Sequence, residues 1–384
     1  MLRHILEYAE IEIKDEIRVL VMTDLETDDI LAIARIVRAL ILEYGWSDSK
    51  RRFVIVLAVG EADADRKARM VGLRLRDALM NDVADERLHV YVARADSSAK
   101  EYPISPEWPL RSGTTILDFS TAFTRVFNPH LVFALKPLRE FVSAPTDFST
   151  PSMCNAPVVC YASFNVRTLK PTGPEALDDL RAEFRGQFYY VESFDVLGAK
   201  NACAANSSPS EDAVFRALEN PTRFKETAKL AREVMGLWNN HIFVECVQTI
   251  QNLIKPEVAF DPAVMFNRNI DFSVSPGLEM LKDAATAGKA NRNVKIARSI
   301  QGAGLERQFV MADVLLIPAI EHLVEWFEKR ELTGFTENDH YPVWGPVTET
   351  TPKQRKYYVV KRAEADWALR RELVLRDIAQ TFAS

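Results

Sequence analysis

Four carboxylates, Asp24, Glu26, Asp28 and Asp29, stand close together in the stretch Val21 to Ala34, VMTDLETDDILAIA. The residues just before them, Ile17 to Thr23 (IRVLVMT), are apolar and rich in β-branched types, which predicts a buried parallel strand. Asp28 to Tyr44 carries apolar residues at 30, 31, 33, 34, 37, 40 and 41 and meets Gly45, which predicts a helix with a glycine stop. A strand ending at Asp24 and a helix opening at Asp28 place the carboxylates on the carboxyl edge of a sheet, where open α/β folds bind ligands. Converging carboxylates repel one another, and a hard, oxygen-seeking cation such as calcium offsets that repulsion. The same residue types also suit an ordinary helix start, with Asp28 as cap, Asp29 complementing the helix dipole and Glu26 solvated in the turn. Their place at the end of the first buried strand is what favours a site.

The elements that must position this cluster alternate. Phe53 to Val59 (FVIVLAV) and Leu88 to Ala93 (LHVYVA) read as strands, with an amphipathic helix from Asp63 to Met80 between them. Further strands are expected at Leu131 to Leu135, Val158 to Tyr161 and Phe188 to Phe194. The β-α-β-α-β order predicts an α/β fold: an open, mostly parallel sheet with helices on both faces, followed by a helical C-terminal part. Helices are expected at Ser210 to Leu218, Arg223 to Gly236, His241 to Ile254, Asp313 to Lys329 and Ala363 to Phe382, and a surface loop at Pro342 to Pro352. The domain reading is one α/β domain over 1–335, elaborated by helices from about residue 210, with 336–384 forming a C-terminal loop and helix packed on it.

Composition narrows the function classes. The chain has 384 residues, 47 % hydrophobic and 27 % charged, ordinary for a globular protein. A net charge of −6 argues against a general nucleic-acid binder, since phosphate contacts need a basic face. Cys154, Cys160, Cys203 and Cys246 fit no zinc spacing and are too few for a disulfide scaffold, so they are expected to be reduced thiols. The first fifteen residues are acidic and lack a leader's apolar core, and no apolar run reaches the roughly 18 residues of a membrane span. A cytoplasmic protein with no membrane partner is the expectation.

The acidic segment resembles the opening of the nucleoside hydrolase family, a strand ending in Asp-Xaa-Asp-Pro-Gly-Xaa-Asp-Asp. Here it is Met22-Thr23-Asp24-Leu25-Glu26-Thr27-Asp28-Asp29: Asp24, Asp28 and Asp29 match, Met22 replaces the first Asp and Leu25-Glu26 the Pro-Gly pair. Gly60 matches the Gly-Asn that ends the family's next strand, with Glu61 in place of Asn, and LHVYVA is similar to its VPVYVG strand. LVFALKPLREFV resembles a strand and turn whose backbone carbonyl ligates calcium, a position that corresponds to Leu135. Within VVCYASFNVRTLKPTGPEAL, Asn165 matches a ribose contact of a Glu-Phe-Asn motif, although Ser163 stands for the Glu. FVMADVLLIPAI is similar to a Met-His-Asp-Pro segment, with Asp313 as the last calcium-ligating aspartate and Ala312 in place of the histidine. The similarity runs in order over roughly residues 17 to 325 and is strongest in the first hundred.

The resemblance implies hydrolysis of the N-glycosidic bond of a nucleoside-like small molecule, with calcium held by Asp24, Asp29, Asp313 and the Leu135 carbonyl. Asp24 would be the general base, while Asp28, Asn165 and Glu192 would contact the sugar. Glu192, in YYVESFD, reads equally well as a carboxylate at a strand end. His241, in LWNNHIF, is the candidate for the leaving-group acid that Ala312 does not supply, although a lone helix histidine is more often structural. A homodimer or homotetramer is the assembly expected. Two alternatives stay open: cleavage of a related ribosyl bond, favoured by Glu26, Glu61, Ser163 and Ala312, and a non-catalytic binding or structural protein on the same fold. A haloacid dehalogenase-like phosphatase fits less well, because Glu26 stands where that class needs Asp.

Overall fold

A computed structural model describes residues 16–43, 51–60, 64–94, 115–119, 127–135, 155–161, 186–191, 202–267, 270–311, 314, 327–335, 342–352, 356–360 and 367–383. The first half alternates as its hydrophobic pattern predicts: β1 (Glu16–Thr23), α1 (Thr27–Glu43), β2 (Arg52–Val59), then α2 (Ala64–Lys67), a π turn (Ala68–Gly72) and α3 (Leu73–Val83) in one run. The strands β3 (Leu88–Arg94), β4 (Leu117–Asp118), β5 (Leu131–Ala134), β6 (Val158–Tyr161), β7 (Phe188–Val191) and β8 (Ala202–Ala204) follow. Next come α4 (Pro209–Glu219), α5 (Lys225–Leu253), α6 (Pro262–Asn267), α7 (Ser275–Leu278), α8 (Ala287–Ala303) and β9 (Gln308–Val310). The chain ends in β10 (Phe327–Phe335), β11 (Pro342–Pro346), β12 (Lys356–Val360) and α9 (Trp367–Ala383).

Among the described residues ten strands form one sheet in the order β11-β10-β12-β7-β6-β5-β1-β2-β3-β4. Neighbours from β12 through β4 pair in parallel, while β10 runs antiparallel to both β11 and β12. The expected class, an open and mostly parallel α/β sheet, is the class observed. Central strands read as continuous apolar runs because both faces are buried. On β1, Val19 and Val21 join the large cluster that α1, α3, α4, α5 and α9 cover, whereas Leu20 and Met22 join a second cluster on the opposite face with Val132, Cys160 and Tyr357. A third cluster, built on Ile250, Phe266, Phe272 and Val294, lies under the C-terminal half of α5 and is closed by α6, α8 and the residues Phe272 and Leu281 that flank α7.

The second half departs from the sequence reading in three places. The two helices expected around residues 223 to 254 are one 29-residue helix, α5. Gly236 does not stop it: a Cβ there would stand 3.1 Å from Glu306 Cγ, so this glycine allows close packing instead of breaking the helix. The loop expected at Pro342 to Pro352 is in part a strand, since Pro342–Pro346 pairs with β10. Prolines fit there because β11 is an edge strand, which does not need all its N–H groups for the ladder. The helix expected to reach Lys329 cannot do so, because β10 begins at Phe327. Of the four cysteines, Cys160, Cys203 and Cys246 are buried thiols outside any disulfide, and Cys154 lies outside the described residues.

Candidate active site at the strand-order reversal

The strand order reverses at β1: β2, β3 and β4 extend to one side, and β5, β6 and β7 to the other. In open α/β sheets the loops leaving the carboxyl ends of the two strands at such a reversal diverge, and the crevice between them is where ligands bind. Here those strands are β1 and β5. Met22 pairs with Ala134, and the Leu135 N–H donates to the Met22 carbonyl at 2.9 Å, so Leu135 sits beside the segment that leads into Asp24. On the other side Thr23 pairs with Val59, and the Gly60 N–H donates to the Thr23 carbonyl at 3.0 Å. The structure therefore brings Asp24, Asp28, Asp29 and Leu135 to the edge that the sequence reading gave them.

The turn is built from its own side chains. Leu25 N–H donates to Thr23 Oγ1 at 2.9 Å, and Thr23 Oγ1 donates in turn to Asp29 Oδ1 at 2.5 Å. Glu26 N–H reaches Asp24 Oδ1 at 3.4 Å, and the Glu26 carbonyl accepts from Ile30 N–H at 3.1 Å to start α1. Asp28 and Asp29 fall in the first turn of α1, where the helix dipole favours negative charge. Burial separates the carboxylates: Asp29 is 0 % and Asp28 6 % exposed, whereas Asp24 and Glu26 are half-buried. Asp29 is thus set into the fold, and of the three aspartates Asp24 is the one reachable from outside. Thr23 is a member of this turn that the sequence reading misses; its signal is a lone hydroxyl ending an otherwise apolar strand.

Further along the same edge, Arg94 at the end of β3 bridges Asp118 (2.7 Å) and Asp65 (2.8 Å), and Arg69 binds Asp65 at 2.9 Å. The Arg69 hydrogen bond, with help from Arg94, holds the Asp65 carboxyl below the usual range. This network links the helix after β2 to the strand ends β3 and β4; Asp65 and Arg69 stand one helical turn apart, whereas Arg94 lies too far from Asp65 and Asp118 in sequence to be foreseen as their partner.

Other predicted site residues stand elsewhere. His241 lies midway along α5, where among the described residues its partners are the Glu245 carboxylate at 3.4 Å and the Trp238 ring. Asn165, Glu192 and Asp313 lie outside the described residues. Among the described residues no group of three or more His, Cys, Asp or Glu side chains could by itself hold a metal ion. The donors present on the edge are all oxygens, which suits a hard cation such as calcium in kind, and completing the set would fall to positions outside the described residues.

No protein-family model and no curated protein matches this chain. Solved structures with a similar fold include a plant nucleoside hydrolase, 10 % identical, covering 95 % of this chain and 98 % of that one with a TM-score of 0.48. A purine-preferring ribonucleoside hydrolase from Gardnerella vaginalis is 11 % identical over 95 % of this chain and 98 % of that one, with a TM-score of 0.46. The type III effector protein XopQ, complexed with adenosine diphosphate ribose, is 13 % identical over 100 % of this chain and 98 % of that one, with a TM-score of 0.41. With TM-scores under 0.5, no residue role is carried across from any of them. No helix among the described residues is long and apolar enough to cross a membrane.

Proposed function

We propose that this chain is a calcium-dependent hydrolase of N-ribosidic bonds in a nucleoside-like small molecule. The observation that carries the reading is the placement of Asp24, Asp28 and Asp29 at the carboxyl end of β1, beside Leu135 after β5, where the strand order reverses. The resemblance of this segment to the nucleoside hydrolase opening supplies the reaction. Asp24, the more exposed of the three aspartates, accepts the proton of the attacking water, which must lie within hydrogen-bond reach. Asp28 accepts hydrogen bonds from ribose hydroxyls, with Asn165 and Glu192 as further sugar contacts, and so fixes the anomeric carbon against the water. Calcium would be held by Asp24, Asp29, Asp313 and the Leu135 carbonyl, and when bound it supplies positive charge that offsets carboxylate repulsion and makes water more acidic. Thr23, by donating to Asp29, fixes the direction of one ligand carboxylate.

Ala312 leaves the departing base without the usual acid, and His241 is the remaining candidate for that role. The test compares inosine with a nitrophenyl riboside, whose leaving group needs no proton. General acid assistance is worth a factor of about 10² to 10⁴, so a chain lacking it should favour the activated riboside by a comparable ratio. Equal rates would assign the proton to another residue, with His241 first to be substituted. Hydrolysis of neither, by folded protein that binds calcium in equilibrium dialysis, would favour the non-catalytic reading.

A further inference from the structure

Leu25 has a φ of 62°, the left-handed region that a bulky side chain rarely adopts, and it is 0 % exposed. Such a conformation persists only where the surroundings over-determine it, and it recurs at functional sites. The surroundings here are specific. The helical run after β2 widens into the π turn Ala68–Gly72, closed by the Leu73 N–H donating to the Ala68 carbonyl, and single π turns inside helices also recur at functional sites. This turn presents Gly72 to the carboxyl edge of the sheet. A Cβ built on Gly72 would stand 3.0 Å from Val92 Cγ1, 3.4 Å from Leu25 Cδ1 and 3.7 Å from Val59 Cγ2. Three buried side chains, from β3, from the Asp24 turn and from the end of β2, thus converge on one glycine.

The geometry points to Leu25 and Gly72 as positioning residues for Asp24: the glycine of the π turn leaves a socket for Leu25, and the seated Leu25 holds the turn in its left-handed conformation. This inference rests on the proposed hydrolase site. Both residues are buried in the fold. They act through the chain, because Leu25 directly follows Asp24 and its N–H bonds the Thr23 hydroxyl that orients Asp29. A Cβ on Gly72 would press first on Val92, 3.0 Å away, and meet Leu25 Cδ1 at 3.4 Å, so filling the socket shifts the seat of Leu25 only slightly, whereas truncating Leu25 empties it.

The test uses the full chain with nitrophenyl riboside and calcium. Gly72→Ala should lower kcat by more than the control below does, while KM moves by a small factor. Leu79→Ala, at an equally buried leucine further along the same helical run, serves as the control for lost stability and should keep kcat. Hydrogen exchange should quicken at Leu25 to Asp29 in Gly72→Ala and not in Leu79→Ala. A kcat loss no larger in Gly72→Ala than in the control, or unchanged exchange at Leu25 to Asp29, would overturn the inference. If Gly72→Ala does not fold, Leu25→Ala empties the socket from the other side, and unaltered kcat and exchange in that variant would overturn it equally. If the unsubstituted chain hydrolyses nothing, the proposed function fails on its own, and the exchange comparison still decides whether the socket holds the turn.

Discussion

At the scale of single residues the acidic edge divides into buried and reachable groups, and the division predicts different losses. Asp24→Asn should fold with near-native stability, because Asp24 is half-buried and the amide oxygen of the substituted side chain can still accept the weak Glu26 N–H bond. It should lose nearly all hydrolysis of nitrophenyl riboside, and an unchanged rate in Asp24→Asn would remove Asp24 from the base role. A second residue-scale prediction concerns His130, at the opposite edge of the sheet. Arg18 N–H donates to His130 Nδ1 at 3.2 Å, and Arg18 Nη2 lies 3.1 Å from His130 Nε2. Burial, with the Arg18 charge adding to it, pushes the imidazole down to about 4, whereas in the unfolded chain it titrates near 6.5. Between those values the unfolded state binds more protons, so this contribution to stability is intact above about pH 6.5 and is lost progressively as pH falls toward 4. Urea midpoints across that window should fall less steeply in His130→Gln than in the parent chain. The Asp24 cluster was legible in the sequence because strand end, turn and helix start are contiguous. The left-handed Leu25 was not, since nothing in Leu-Glu announces a backbone conformation imposed by a glycine many residues away.

At the scale of elements, the C-terminal helix is fastened by charge as well as by packing. Arg35 Nε meets Asp377 Oδ2 at 2.6 Å and Arg371 Nη2 meets Glu211 Oε1 at 2.6 Å, tying α9 to α1 and to α4. The second pair is the more enclosed, its side chains 10 % and 6 % exposed. Removing one partner strands the other, so Arg371→Ala should destabilise by about 3 to 5 kcal/mol. Replacing both by apolar residues, as in Arg371→Met with Glu211→Leu, should recover most of that loss, and chemical denaturation of the three proteins measures it. The helix itself was readable from its apolar spacing, but its partners lie too far apart in sequence for pairing to be inferred. The long α5 illustrates the opposite failure. Gly236 and Asn239 suggest a break, yet Asn239 Nδ2 donates to the carbonyls of Leu305 and Gln308 at 2.6 and 2.8 Å and belongs to the packed side. Local propensity yields here to tertiary contact.

At the scale of the whole molecule, the parallel half of the sheet was legible from its buried apolar strands, and the antiparallel edge was not. β10 carries Glu328, Lys329, Arg330 and Glu331, and β11 begins and ends in proline, so neither has the composition of a strand. The order of strands, on which the candidate site depends, follows from pairings that no local pattern encodes. The third cluster is a satellite of the main core, and its failure should be local. Phe272, fully buried in it, is the residue whose truncation tests this: Phe272→Ala should cost about 3 to 5 kcal/mol by leaving a cavity. Amide exchange should then quicken across α6, α7 and α8 while β1 and β2 remain protected. The pairing of β12 with β7, Tyr358 beside Tyr189, has a consequence for biosynthesis. A nascent chain emerging from the ribosome completes β1 to β7 early but leaves the outer backbone groups of β7 open until β12 arrives. At translation speeds of about 5 to 20 residues per second, that interval lasts on the order of ten to thirty seconds. During it the outer edge of the half-built sheet is a template that any other extended chain can join.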